Sequence, residues 1–572
     1  MAHFRLRWLT FAGVAVVVWT EALGALQMLG PAGSGILAAA AVWLCVKTIS
    51  RSRGVRHVRL EPIEWLSAAG IAGIAAATGL TAWLSAPNSA DAMAYHLPRV
   101  IYWAQQQSVA FFPTPYFNQV ALAPFAEYVM LHEYLLTGSD RLANFGQWFG
   151  MAASAGAIWA LAGELGLDRR GQAVAALLSA TIHNGILQAS GAKNDYVAAM
   201  WLATAACLAR RGEAWPAGLA LGLAVFTKAT AYLFAWPVLL LWRDKRRLPI
   251  ALAGVLSVNG LHYARNAAAF GTPLGPESAR ADEVFRWQND RFGARETMSN
   301  LLRHLSEQLG ARSAAWNQGV FDQVVWLHEA IGIDPDDPAT TWRFARYTPP
   351  KRTNHEADGP SRWHLLLLVA GLIAAAWRAP GPIRLLAAGL MLGALAFCFY
   401  LKWQPFMARM WLPWFVLGAP LGAALVARRR WSSWLVCLFV LNGTRLPLLE
   451  NWTRPLTGPR SLFSQDRAAT YFNDMVQWSN RDAYLRAAAL VSGSDCDRIG
   501  IDIRANQLEY PLLALVRAAR PGARFEHVTA RAGTLCAVVC LDCTERAAAE
   551  YRSFPKAERA GRFAVFLDEA AK

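Results

Sequence analysis

Two short stretches carry the residues best suited to chemistry. The first is Ala86-Pro-Asn-Ser-Ala-Asp-Ala-Met-Ala-Tyr-His-Leu-Pro-Arg99, which contains Asp91, Tyr95, His96 and Arg99. The second is Gly191-Ala-Lys-Asn-Asp195, with Lys193 and Asp195. A carboxylate can take a proton from a hydroxyl, and a neighbouring cation can neutralise an anion that forms or departs. A lone loop aspartate is ordinarily just solvated. Here, however, both stretches lie at the mouth of an apolar segment, the first after residues 65–85 and the second after 173–189. A pair of such placements suits a substrate whose polar head emerges from a bilayer.

The elements that must position these residues are membrane helices. Of 572 residues, 55% are hydrophobic and 17% charged, against about a quarter charged in ordinary soluble domains. Mean hydropathy is +0.22. The formal charge of +16 is scattered in short clusters between apolar runs: 47–59, 168–170, 210–213, 243–247, 377–384 and 428–430. No continuous basic face results, so nucleic acid is excluded as a partner, and the clusters read as topology signals facing the cytoplasm. Apolar segments at 8–29, 36–46, 65–85, 143–165, 173–189, 196–209, a pair within 216–242, 249–268, 363–377, 385–401, 409–425 and 431–449 then predict about thirteen transmembrane helices. The first segment reads as a retained helix, not a cleaved signal. With that parity every basic cluster falls on one side. The reading is a polytopic α-helical membrane protein, residues 1–450, with outer loops 87–142 and 270–362.

Residues 216–242 are flanked by basic clusters at both ends, yet are short for two full crossings. A broken hairpin turning at Thr227-Lys-Ala-Thr230 fits, because interrupted helices are tolerated where they line a polar cavity. Lys228 then faces something anionic or snorkels to the interface. Residues 451–572 are different in kind: charges are mixed and apolar residues come in short blocks. Strands at 498–503 and 536–541 with a helix at 510–520 predict a small soluble α/β domain outside the membrane. Cys45, Cys207, Cys398 and Cys437 lie in apolar segments as packing residues, whereas Cys496, Cys536, Cys540 and Cys543 share the tail. One or two disulfides are expected there, with the pairing open and a zinc site as the lesser alternative.

Along the predicted outer rim, Glu127, His132, Glu133, Asp140 and Arg141 join the two opening stretches, followed by His262, Arg265, Lys402 and Arg409. Enzymes that move a sugar from a lipid-linked phosphate use this inventory. An acid deprotonates the acceptor hydroxyl, and Arg and Lys receive the phosphate as fork and point charge respectively. Lys193, Lys228, Arg265, Lys402 and Arg409 are the candidate phosphate cations. Trp103, Trp148 and Trp403 are near enough to the rim to meet a sugar ring. No nucleotide-cradling glycine loop is present, and no clear ligand set marks a metal site, so a divalent cofactor is left open.

With these residues in view, the chain resembles the GT-C glycosyltransferases, in particular bacterial protein-mannosyltransferase-like and aminoarabinose-transferase-like enzymes of the glycosyltransferase family 39 type. The resemblance rests on Asp91-Ala-Met-Ala-Tyr-His-Leu-Pro98, Lys193-Asn-Asp195, Thr227-Lys228 and Arg265-Asn-Ala-Ala-Ala-Phe-Gly-Thr-Pro-Leu-Gly275, and spans roughly residues 65–449. It implies a polyprenyl-phosphate-linked sugar donor, inversion at the sugar carbon and an aspartate base in the first large outer loop. Asp91 matches that base and Asp195 the second acidic position, with Tyr95, His96 and Arg99 in the same motif as substrate contacts. Two departures stand out. Asp91 has no immediate acidic neighbour, and two apolar segments precede the usual first helix.

The expected partners are therefore a lipid-linked sugar donor, an envelope acceptor (lipid, glycan or protein) and membrane lipid, at the outer face of a bacterial inner membrane. A transporter or flippase of lipid-linked intermediates is the main rival, but it would place charges near mid-membrane. An oligosaccharide polymerase or ligase stays open, and neither sugar nor acceptor is readable.

Overall fold

The structure is a computed structural model and describes residues 2–50, 59–276, 286–343, 345–474, 480–505, 507–528 and 535–568. Most of the basic stretch 47–59 and part of the loop 270–362 lie outside the described residues, as do the side chains of Cys45 and Arg378.

Helices occupy each apolar segment read from the sequence. Among the described residues, five are long and apolar enough to cross a membrane: Leu6–Ala25, Pro62–Leu84, Gly381–Tyr400, Pro405–Val426 and Arg430–Leu449. They leave large apolar side chains such as Val18, Trp65, Trp83, Leu392, Leu435 and Leu438 exposed, as a lipid-facing surface requires. Shorter apolar helices include Pro31–Leu44, Ala214–Val225 and Arg362–Trp377. The helix Asp195–Arg211 runs through the centre, buried on all sides from Asp195 to Ala209. Its neighbours approach closely where side chains are smallest. A Cβ on Gly150 would sit 2.9 Å from the backbone of Tyr196, and one on Gly218 would sit 2.7 Å from the Ile250 carbonyl. This is the small-residue packing of membrane helices.

The stretch 216–242 is indeed broken. Helix Ala214–Val225 stops, the chain turns at 227–229, and two short helices, Thr230–Leu233 and Trp236–Leu241, complete the return. Pro237 caps the last of these near its start.

Ion pairs mark one end of the bundle. Arg7 pairs with Glu213, Arg169 with Glu64 at 2.8 Å, and Arg211 with Glu164 at 2.9 Å. The Arg243 amide bonds the Ala209 carbonyl there too. The basic clusters 168–170, 210–213 and 243–247 thus share this end. Asp195 lies at the other end of its helix, roughly 25 Å away at 1.5 Å per residue.

The C-terminal region forms a five-stranded sheet ordered β2-β1-β3-β5-β4, from β1 (Arg498–Asp502), β2 (Arg524–His527), β3 (Ala537–Leu541), β4 (Lys556–Ala560) and β5 (Phe563–Leu567). β1 runs parallel to β2 and β3, and β5 antiparallel to β3 and β4. Central β3 and β5 are buried throughout. Edge strand β4, Lys-Ala-Glu-Arg-Ala, is half polar and carries no apolar block, which hides it from sequence reading. Helices Arg481–Ser492 and Tyr510–Ala519 cover the sheet. The tail thiols pair as Cys496–Cys536 and Cys540–Cys543, the two-disulfide outcome of the one or two expected.

This unit is bolted to the loop 87–142. Asp140 accepts hydrogen bonds from Tyr471 (2.5 Å) and Tyr510 (3.0 Å) and pairs with Arg467 at 2.7 Å. Asn88 donates to the carbonyls of Thr453 (2.8 Å) and Thr470 (2.9 Å). Asp140→Ala would leave a guanidinium and two tyrosine hydroxyls without their acceptor, a loss of about 3 kcal/mol or more. Limited proteolysis in micelles should then release a C-terminal fragment from the variant before the wild type is cut.

Candidate active site

At the end of the bundle opposite the basic clusters, five of the predicted residues converge. Arg409 pairs with Asp91 at 2.6 Å, Lys228 with Asp195 at 2.5 Å, and Lys193 with a residue the sequence reading did not name, Glu356, at 2.6 Å. Glu356 also pairs with Arg454, another unnamed residue. Two carboxylates and three cations from four separate chain segments therefore meet, with a carboxylate–guanidinium pair behind them.

Local structure explains each placement. The helix Pro62–Leu84 ends at Ser85, and the chain passes through Asn88, held by the two tail carbonyls, into a π-helical turn, Ala92–His96. Asp91 holds the cap position of that turn and Tyr95 is its fourth residue, and the charges of Asp91 and Arg409 both act on the Tyr95 phenol. Lys193 and Asp195 flank Asn194, whose side-chain amide donates to the Thr227 carbonyl at 3.0 Å and so locks the second loop to the Lys228 turn. Arg409 rides the short helix Pro405–Trp411, with its amide on the Ala357 carbonyl at 3.3 Å. Gly191 leaves room for the Glu356–Arg454 pair: a Cβ there would lie 3.1 Å from the guanidinium and 3.3 Å from the carboxylate, so the pair would have to shift to admit it.

Burial grades the cluster. Arg454, Glu356, Asp195 and Lys193 are almost fully enclosed, whereas Asp91 is 22% exposed, Lys228 15% and Arg409 11%. The open face is thus one carboxylate between two cations. Among the described residues, the buried Asp195 Oδ2 and Arg409 Nε have no hydrogen-bond partner and are free to take one from a ligand.

Burial alone would raise the Asp91 carboxyl, but Arg409, then Lys193, hold it well below the usual carboxylate range. Burial pushes the Tyr95 phenol up and the Asp91 charge pushes it further, so it stays a hydrogen-bond donor. Burial lowers the Lys193 ammonium against the pull of Glu356. Glu356 itself, despite burial, is held at about 2 by Arg454 and Lys193.

Other predicted residues are elsewhere. His96 (2.9 Å) and Arg99 (3.0 Å) both engage Glu127 beneath the π-turn, and Arg99 is spent on the carbonyls of Asn118, Gln119 and Leu122. Both are thus paired with Glu127, and His96 also acts on the Asp91 carboxyl by its charge. Arg265 is held by a two-pronged bridge to Glu21 (2.6 and 2.8 Å), and Lys402 by Asp290 (2.8 Å) and the Pro338 carbonyl (2.6 Å), so neither joins the phosphate-type cluster. Trp103 and Trp403 are 2% exposed and Trp148 donates to the Ala75 carbonyl. All three are packing residues. Glu356 and Arg454 were findable by the signal that singled out Asp91, a charge just beyond an apolar segment. Each lies within a few residues of one, before 363–377 and after 431–449.

No family model and no curated protein matches this chain. A solved structure, ArnT from Cupriavidus metallidurans bound to undecaprenyl phosphate, is similar to it with a TM-score of 0.48 and 12% identity, over 89% of this chain and 99% of that one. What this chain does has to be read from its own side chains.

Glu356→Gln leaves Lys193 and Arg454 facing a neutral amide in a buried site, and should cost roughly 3 kcal/mol or more at pH 7. The folded pKa of about 2 lies below the ordinary 4.5 of a glutamate, so this contribution is full above pH 4.5 and fades as pH falls towards 2. Unfolding in micelles between pH 6 and 3 should show the wild type losing stability that the variant never had.

Proposed function

We propose that the protein is an integral-membrane glycosyltransferase. It moves a sugar from a polyprenyl-phosphate-linked donor to a cell-envelope acceptor at the outer face of the inner membrane, with Asp91 as general base. What carries this reading is the more open part of the cluster: Asp91 paired with Arg409 at 2.6 Å and acted on by the charges of Lys193 and Lys228, with Lys228 itself paired to Asp195 at 2.5 Å. A phosphate diester needs cations that gain contacts as negative charge develops on the leaving oxygen, and an acceptor hydroxyl needs a nearby base. Transport would not call for a carboxylate held at the rim beside its own phosphate-type cations.

In this mechanism the acceptor oxygen attacks the sugar carbon, the bond from that carbon to the phosphate oxygen breaks, and the lipid phosphate leaves. Inversion follows from a single displacement. Arg409 links the two halves of the reaction. While it pairs with Asp91 the carboxylate is a weak base. An arriving phosphate competes for the guanidinium, and Asp91 regains basicity only when a donor is present. Lys228, already bound to Asp195 at 2.5 Å, can swing its free protons towards the same phosphate. Asp195 then keeps the lysine charged and aimed, which makes it a catalytic partner and not a second base. The residues present offer carboxylates to a divalent metal, but every one of them has a cationic partner that would have to leave first.

The basic clusters sharing the far end support the predicted topology of about thirteen crossings, with that end in the cytoplasm and residues 451–572 outside. In intact spheroplasts, after mild reduction, a membrane-impermeant maleimide should label the tail cysteines. Labelling only after lysis would invert the topology. Asp91→Asn should fold and insert normally yet cut transfer by at least ~10²-fold. The assay would use synthetic polyprenyl-phosphate hexoses and pentoses, with the acceptor sought from the mass change of envelope lipids, glycans and proteins on loss of the gene. Near-normal turnover by the variant would remove Asp91 from the mechanism.

A further inference from the structure

One buried chain of hydrogen bonds leads from the C-terminal sheet to the turn that carries Asp91. Glu509, 1% exposed, precedes the helix Tyr510–Ala519. Its carboxylate takes hydrogen bonds from Tyr102 OH at 3.0 Å and from the Gln119 side-chain amide at 2.5 Å, and lies 3.0 Å from His527 Nε2. Gln119 is also fully buried, and every group on it is engaged. Its amide nitrogen makes a second bond, 3.0 Å, to the carbonyl of Ala94. Its side-chain oxygen accepts from Thr114 at 2.8 Å, and its backbone carbonyl accepts from Arg99 Nε at 2.5 Å.

Ala94 is the middle residue of the π-helical turn Ala92–His96, and Asp91 is the cap of that turn. The Leu97 amide reaches back five residues to the Ala92 carbonyl, as π geometry demands. Such turns are rare and persist where neighbours impose them, commonly at functional sites. One side-chain amide here grips the turn's own carbonyl with one hydrogen and a carboxylate of a distant sheet with the other. The same residue's backbone holds Arg99, which holds Glu127, which holds His96, the last residue of the turn.

We propose that Gln119 is a positioning residue for Asp91, and that Glu509 of the C-terminal sheet unit sets it in place. The tail is then a working part of the catalytic site, reaching the Asp91 turn through the Gln119 carboxamide in addition to the hold of Thr453 and Thr470 on Asn88. This rests on the reading of Asp91 as base, but its geometric half can be measured without turnover.

The test uses the full-length protein in nanodiscs, read by hydrogen exchange over residues 88–97, by thermal unfolding, and by kcat and KM with whichever synthetic polyprenyl-phosphate hexose or pentose the wild type turns over. Gln119→Glu opposes Glu509 and the Ala94 carbonyl together, so it should lower the unfolding midpoint and raise exchange at 88–97 at least ~10-fold. Gln119→Met, uncharged and of similar size, should raise the same exchange with a smaller loss of midpoint, and decides the matter if the glutamate variant does not fold. The exchanged pair Gln119→Glu with Glu509→Gln rebuilds the bond between the units but still presents an acceptor to Ala94. It should recover the midpoint while exchange at 88–97 stays high and kcat stays roughly 10–100-fold down at unchanged KM. Tyr102→Phe strips a different partner from Glu509 and should leave exchange at 88–97 as in the wild type. Full recovery of exchange and kcat in the exchanged pair would reduce Gln119 to a joint between units and overturn the proposal. So would raised exchange in Tyr102→Phe, or unchanged exchange in Gln119→Met. A wild type that turns over no polyprenyl-phosphate sugar would sink the proposed function alone, since the exchange measurements would still decide the positioning.

Discussion

Charge pairing in a poorly hydrated place is the constraint on which this structure turns. Asp91, Asp195 and Glu356 face Arg409, Lys228, Lys193 and Arg454 at the end of a helical bundle, and each is tolerable there only because an opposite charge lies beside it. Removing one partner strands another, so the cluster behaves as a unit. Its members come from chain segments hundreds of residues apart, which means that the whole bundle must close before any of the charges is satisfied. The same requirement keeps the site poised. In the proposed function, pairs already formed within the protein are exchanged for a substrate's charges, with little further cost in dehydration.

Rigidity around the cluster is built mainly from neutral groups. Asn88, Asn194 and Gln119 each use a side-chain amide to tie one loop to the backbone of another. Amides suit this work because they donate and accept at once and carry no charge that would compete with the catalytic ones. The long loop after the helix Leu248–Phe270 follows the same logic. Asn289 and Asn300 bond the carbonyls of Cys398 and Leu401, and the loop's later part delivers Glu356 to Lys193. Through Glu356 it contributes a carboxylate to the charge cluster.

The reach of the C-terminal unit is the less expected feature. Its contacts with the loop 87–142 through Asp140, Asn88 and Glu509 are buried and polar, and polar joints specify one geometry where an apolar face would tolerate sliding. A sheet stapled by Cys496–Cys536 and Cys540–Cys543 is a stiff body from which to hold the π-helical turn.

Helix positions, the broken hairpin at Lys228, the α/β character of the tail and the loops bearing Asp91, Lys193 and Asp195 were all legible in the amino-acid order. Each depends on local properties: apolar run length, the placement of basic clusters, and charge at the edge of an apolar segment. Which cation meets which carboxylate was not legible, because pairing depends on how loops fold over the ends of helices and no periodicity records it. Arg265 and Lys402 have the same local signature as Arg409, yet Glu21 and Asp290 capture them elsewhere. Glu356 and Arg454 carry that signature too, and only the packed bundle shows that they stand behind Lys193. Sequence by itself determined where the bundle's helices form and at which end of the bundle chemistry could occur. Tertiary structure alone decided the partners, since a buried charge takes its meaning from the group across from it.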